Sequence, residues 1–286
     1  MRRLDPGGAH PSAAAVHEPL DRFLVRRTRQ TWSAVHQLIQ RRRATLNGVP
    51  CPYYHRGVTT EDVITVDDVV IADGPDDGVV LCHKPVGVAC SHQLEHAPLL
   101  YDLVPEHLRH PDLQAAGRLD RDPTGLIVLT IDGVLIQRLT GPGRTWKRYH
   151  LRYRGRLVAD AVARVNDGLV LPDDAVPCRP ARLEVNAAED GGEATIQLCE
   201  GRHHQVKRML RTLGGEVVAL HRDRLGGLAL PNDLAPGAMR PARAEELAQL
   251  PWVTAWAVRP SRSASAPDPR PAWAPAPHRP GPEWQP

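Results

Sequence analysis

The stretch "AAGRLDRDPTGLIVLTIDG", residues 115–133, decides how the chain is read. Leu126 to Thr130 is a short aliphatic run, which predicts a buried strand. The polar loop before it places Arg118, Asp120, Arg121 and Asp122 between Gly117 and Gly125. Glycine at both ends lets backbone enter a cleft closely. A carboxylate held there beside a cation stays ionised, which suits a nucleophile or a base, and the cationic neighbours suit a polyanionic substrate. Without that context the loop reads equally well as a surface ion pair followed by an ordinary turn at Asp132-Gly133.

Outward from this loop, further apolar runs are strand-like: "VVLC" (79–82), "YHLRY" (149–153), "ARLEV" (181–185), "ATIQL" (194–198) and "EVVAL" (216–220). Helical stretches at 134–140, 160–166 and 204–213 interleave with them. In the last, Val206, Met209, Leu210 and Leu213 fall at i, i+3, i+4 and i+7, so one side is core and Lys207, Arg208 and Arg211 point elsewhere. Strands outnumber helices, which predicts an α+β domain around a mixed or antiparallel sheet over residues 79–258.

A smaller basic module is expected at 18–72. Leu20, Phe23 and Leu24, then Val35, Leu38 and Ile39, recur at helical spacing, and Thr31 is placed to cap the second helix. Residues 20–43 hold seven arginines against one acid, Asp21. "ATLNGVP" predicts a hairpin through Asn47-Gly48, and "DVITVDD" another strand. Residues 73–78, "DGPDDG", read as a linker. The Ala-, Gly- and Pro-rich residues 1–17 are expected to be disordered. So is the tail 259–286, where nine of 28 residues are Pro.

Composition narrows the function. The chain has 286 residues, 42% hydrophobic and 24% charged, with a formal net charge of only +3. Arginine clustering against that small net charge points to an anionic partner: RNA, DNA or acidic lipid. Five cysteines without a CxxC pair argue against a disulfide framework or structural zinc. No apolar run suits a signal peptide or a membrane span, so a reducing cytosol is the expected compartment and no membrane partner is expected. A second constellation, "EGRHHQVKRMLRTLGGEVVALHRDRLGG" (200–227), surrounds one amphipathic helix with basic residues. His203, His204 and His221 have no carboxylate or cysteine at ligand spacing, so no metal is expected.

These two stretches together resemble the pseudouridine synthases that act on ribosomal RNA. "LCHKPVGVACS" (81–91) is similar to that family's first motif and "WKRYHLRY" (146–153) to its Lys-x-Tyr strand. The basic module resembles the small RNA-binding domain named after ribosomal protein S-four. The resemblance spans roughly residues 18–252. It implies a uridine flipped from its stack, cleaved at the glycosidic bond, rotated and rejoined through carbon five, with no cofactor because reactant and product are isomers. It implies Asp120 as nucleophile or base at the sugar, and Tyr149 stacked on uracil and moving a proton at carbon five. Lys207 would be the buried partner holding Asp120 ionised, and Val206 would pack beneath Tyr149 or the base. Arg118 would contact phosphate or fill the gap left by the flipped base. Arg22, Arg26, Arg41, Arg42, Arg43, Lys84, Arg202, His204 and Arg208 would bind RNA. "AAGRLD", "EGRHHQVKRM" and "LHRDRLGG" favour small-subunit ribosomal RNA as partner, with a monomeric enzyme, over large-subunit RNA or a non-catalytic assembly factor. Pro123 departs from the Thr or Ser usual in the family. It restricts Asp122 to extended backbone, which a loop already extended there tolerates.

Overall fold

The computed structural model describes residues 18–71, 78–91, 93, 98–172 and 174–250. The expected disordered ends 1–17 and 259–286, residues 251–258 and most of the linker 73–78 lie outside the described residues.

In the N-terminal part, β1 (Glu18–Pro19) leads into α1 (Leu20–Thr28) and α2 (Trp32–Gln40). Thr31 caps α2, its side chain accepting from the Ala34 amide at 3.2 Å. Leu20, Phe23, Leu24, Val35 and Ile39 are buried, as their helical spacing requires. β2 (Ala44–Leu46) and β3 (Val49–Pro50) form the expected hairpin. Its two turn residues, Asn47 and Gly48, take φ of 52° and 80°, the left-handed pair that a two-residue hairpin turn demands. β4 (Gly57–Val58) pairs with β1, and β5 (Ile64–Val66) and β6 (Val69–Val70) complete a four-stranded sheet in the order β3-β2-β5-β6.

The larger part is built on one mixed sheet. Its strands are β7 (Val79–Lys84), β8 (Gln114–Ala115), β9 (Thr124–Thr130), β10 (Lys147–Arg154), β11 (Arg182–Ala188), β12 (Gly191–Leu198), β13 (Glu216–Leu225), β14 (Leu228–Ala229) and β15 (Met239–Pro241). The main order is β11-β12-β10-β13-β9-β7-β15. Every pairing is antiparallel except the short contact of β9 with β13. Helices α3 (Gly133–Thr140), α4 (Ala161–Asp167), α5 (Gln205–Thr212) and α6 (Ala244–Leu247) flank it.

Burial explains the two kinds of strand. Alternate residues of β7 and β9 enter different cores: Val80, Cys82, Ile127 and Leu129 on one side, Val79, Leu81, Leu126 and Val128 on the other. A strand buried on both faces needs the continuous apolar runs seen there. β10 is buried on one face only, so Lys147, Tyr149, Leu151 and Tyr153 point in while His150, Arg152 and Arg154 point out.

The first of these cores also takes in the N-terminal helices, so the two parts share one apolar cluster. Polar contacts cross the same boundary. Arg22 donates to both oxygens of Asp132 at 3.1 Å, and the Trp32 amide donates to Asp112 at 3.0 Å. Asp132 is also the N-cap of α3, accepting from the Val134 and Leu135 amides at 2.8 and 3.2 Å. Asp132-Gly133 is therefore a helix start and a bridge, not an ordinary turn.

Candidate active site

Six segments converge on one cleft of about 330 Å³: the 117–123 loop, the end of α3 at Thr140, the start of β10, the end of β12 at Leu198, the 201–207 turn into α5 and the middle of β13. Asp120, Arg118, Tyr149, Val206 and Lys207 all line it, so the sequence motifs do meet in space. A larger hollow of about 670 Å³ lies on the outward face of β10, around His150, Arg152 and Glu184. It lacks both Asp120 and Tyr149, so the smaller cleft holds the chemistry-bearing groups.

The loop that presents Asp120 is fastened from behind. Lys84, at the end of β7, has no exposed surface, and its Nζ donates to the carbonyls of Pro85, Arg121 and Pro123 at 2.9, 3.1 and 2.7 Å. Burial lowers the Lys84 ammonium, while Cys90, Asp122, Cys82 and Asp120 pull it back up. The Gly87 amide donates to the Arg121 carbonyl at 2.8 Å, and Arg121 Nε returns a bond to the Gly87 carbonyl at 3.0 Å. The "KPVG" turn and the "RDP" turn are thus joined, with Asp120 just beyond the join. This corrects the expected role of Lys84: a side chain with no exposure holds backbone and does not reach RNA. Pro123, the family departure, is buried and its carbonyl is one of the three Lys84 acceptors.

Asp120 keeps 35% of its side chain exposed and faces His204, whose Nε2 lies 3.4 Å away. His204 takes a left-handed φ of 49° at the head of α5, an unusual backbone for a non-glycine residue. Its ring stacks on His203 with centroids 3.9 Å apart. Lys207 does not pair with Asp120. Its Nζ donates to Asp122 at 2.7 Å, and the pair is partly exposed. Desolvation raises the Asp122 carboxyl, but the Lys207 hydrogen bond and the Lys207 and His204 charges outweigh it, so the carboxyl sits below its ordinary range. The expected buried Lys207–Asp120 pair is therefore corrected to a rim pair with Asp122, two residues further on.

The other predicted RNA contacts divide by burial. Arg41, Arg42 and Arg43 are exposed on the N-terminal part, with Arg43 paired to Asp67. Arg118 is exposed at the mouth of the cleft. Arg26 is buried against Glu18 at 2.8 Å, which corrects its expected contact with RNA, and Arg22 is engaged by Asp132. Arg202 and Arg208 both grip Asp174, at 2.8 and 2.5 Å, and their hydrogen bonds hold its carboxyl low despite desolvation. Arg202 also donates to the Val176 and Pro177 carbonyls at 2.7 and 2.6 Å. They clamp the 174–177 segment beside the cleft.

Two further residues line the cleft that were not among the expected site residues, although both lie in motifs quoted above: Lys147, of the Lys-x-Tyr strand, and Arg222, of "LHRDRLGG". A bulge in β13 places the second. Tyr149 pairs with Arg222 while Arg148 pairs with Arg224, leaving Asp223 as the extra residue. The bulge makes Arg222 and Leu225 the inward residues instead of Arg222 and Arg224. Gly125 makes the close approach possible. It lies beside Arg222 at φ of 118°, where an added Cβ would meet the Arg222 carbonyl oxygen at 2.1 Å.

A reachable acid on a braced loop beside an inward tyrosine, in a cleft of nucleotide size, is the arrangement of an enzyme that works on a nucleotide. Residues 78–212 match the RNA pseudouridylate synthase family, and the chain belongs to that family. The chain is 33% identical over 236 residues to "Ribosomal small subunit pseudouridine synthase A" of Escherichia coli strain K12, covering 81% of this chain and 99% of the relative. It is 32% identical over 232 residues to the protein of the same name from Yersinia pestis, covering 81% of this chain and 97% of that one. A solved pseudouridylate synthase superposes with a TM-score of 0.55 at 31% identity, covering 81% of this chain and 99% of that one.

Proposed function

We propose that this chain isomerises a uridine of small-subunit ribosomal RNA to pseudouridine, with Asp120 as the nucleophile or base at the sugar. The single observation carrying the role of Asp120 is its position. Among the described residues it is the one carboxylate lining the cleft that also holds Tyr149, on a loop braced by Lys84. An acid that acts on a sugar must be ionised, reachable and held still. Tyr149 supplies a ring against the flipped uracil and a hydroxyl for proton movement at carbon five. Arg118, His203 and His204 line the cleft near Asp120, where the phosphates of a flipped nucleotide would lie. The N-terminal part serves as an S-four-like RNA-binding domain through the exposed Arg41 and Arg42. The two full-length relatives named for small-subunit RNA support that substrate over large-subunit RNA.

Asp120→Asn is nearly isosteric but cannot ionise. It should abolish pseudouridine formation while leaving RNA affinity in place, since the arginines are untouched. Carbodiimide mapping of ribosomal RNA from cells carrying either form would locate the target uridine. Product above a few per cent of wild type would remove Asp120 from the chemistry.

A further inference from the structure

The floor of the cleft carries two positive charges, and among the described residues neither forms an ion pair with a carboxylate. Lys147 and Tyr149 are two residues apart on β10 and so share a face, and Arg222 stands opposite Tyr149 on β13. Lys147 is 4% exposed and Arg222 1%. The acids around them are bonded elsewhere: Asp223 to Arg148 and His150, Asp122 to Lys207, and Glu200 to Gln205, the Arg179 amide and, at 3.5 Å, Arg202. Lys147 Nζ reaches the Thr145 carbonyl only at 3.5 Å. Arg222 Nε donates to the Leu126 carbonyl at 2.9 Å, but its Nη2 has no acceptor among the described residues. Burying two cations in one cleft without an ion-pair partner for either is unfavourable. Burial, and next the Arg222 charge, lower the Lys147 ammonium to about 8, and Cys199 and Glu200 pull it back up only in part. Such a pair is expected where the balancing anion arrives with a ligand.

We propose that Lys147 and Arg222 form the subsite that stabilises the negative charge developing on uracil when its glycosidic bond breaks. The inference rests on the pseudouridine synthase reading above and deepens it. A nucleotide flipped into this cleft enters base first, so its phosphates stay with Arg118 at the mouth and its base reaches the floor. When the C1′–N1 bond breaks, its electron pair goes to the base and spreads over N1, O2 and O4. Asp120 answers the electron-poor sugar. After rotation, a pair on C5 closes the C1′–C5 bond. The C5 proton is then lost and N1 gains one, so the product is an isomer. Fixed cations beside the base lower the barrier to the first step because they need no reorganisation as charge appears.

The test is single-turnover kinetics of the full chain on unmodified ribosomal RNA transcripts of both subunits. Lys147→Met and Arg222→Met should each slow the chemical step by about 10²–10³-fold with RNA affinity unchanged. Arg222→Lys keeps the charge and should recover much of the rate. Lys147→Met removes a buried charge, so it should fold, and an unfolding curve checks this. A methylphosphonate at the target nucleotide should add its own effect equally in wild type and Lys147→Met. If it instead adds nothing in Lys147→Met, the cations bind phosphate and the proposal is overturned. A shift of the acid limb of the rate profile in either variant would mean that they serve Asp120, which also overturns it. Product from the wild type with undiminished rates in both Met variants rejects the subsite alone. No product from the wild type rejects the reaction on which it rests.

Discussion

Lys84→Met tests whether the loop acid depends on a buried lysine that never meets substrate. The substitution keeps the length and apolar stem and removes the three donors. The Arg121 carbonyl keeps the Gly87 amide at 2.8 Å, so it retains a partner. The Pro85 and Pro123 carbonyls lose the Lys84 donor, which reached them at 2.9 and 2.7 Å. A buried carbonyl left without a donor costs about 1–3 kcal/mol, so the gross loss is about 2–6 kcal/mol. Part is offset because methionine needs no desolvated charge, which leaves about 2–4 kcal/mol. Urea unfolding measures it. Pseudouridine formation should fall with it, because the 121–123 turn would no longer hold Asp120 against the cleft. The salt slope of RNA binding should not change, since Lys84 neutralises no phosphate. Unchanged stability together with a slope reduced by about one unit would refute the reasoning and make Lys84 a phosphate contact.

Further expectations concern the cleft and its frame. The folded chain releases the Lys147 proton near pH 8 and the unfolded chain near 10.5, so between these values the unfolded chain binds more protons and stability should rise with pH. Lys147→Met should remove that rise and stabilise the fold by up to roughly 3 kcal/mol below pH 8, measured by denaturant titration at several pH values. Lys207→Met should leave the acid limb of the rate profile in place, because the partner of Lys207 is Asp122. Its effect on stability should stay within about 1 kcal/mol, as for other partly exposed pairs. Gly125→Ala should yield little folded protein by circular dichroism. Its Cβ would meet the Arg222 oxygen at 2.1 Å, with backbone on both sides that cannot give way.

The parts of the fold set by periodicity were legible in the sequence. The continuous run in β9, the alternation in β10 and the i, i+3, i+4, i+7 face of α5 each state how many sides are buried. Asn47-Gly48 and Thr31 were legible because turn and cap chemistry is local. What could not be read turned on direction. Lys84 looks like any solvated lysine before Pro-x-Gly, and only the folded chain brings three carbonyls around it. Asp120 and Asp122 lie two residues apart, and the choice of Lys207 between them depends on loop geometry that spacing does not encode. "HRDRL" is polar enough to pass for a loop after "EVVAL", yet it continues β13. A strict two-residue period would send Arg222 and Arg224 to the same face. The bulge at Asp223 breaks that period and could not be foreseen. Lys147 was within reach: it stands two residues before Tyr149 on a strand and therefore shares its face.

The bridge from Arg22 to Asp132 gives the enzyme a fixed span. A nucleic-acid-binding arm on a slack tether would let the cleft sample uridines at many distances from its anchor. Here the arm and the catalytic sheet share an apolar interior, and a bidentate ion pair ties the first helix to the cap of α3. That same helix ends at Thr140, on the wall of the cleft. With the RNA-binding role proposed above for the N-terminal part, the molecule would act as a calliper. An RNA docked on the exposed arginines in that way would offer only the uridine that its own fold carries at one set separation and angle. Choice of target becomes a matter of RNA shape over that span, which a protein can measure without reading the bases between.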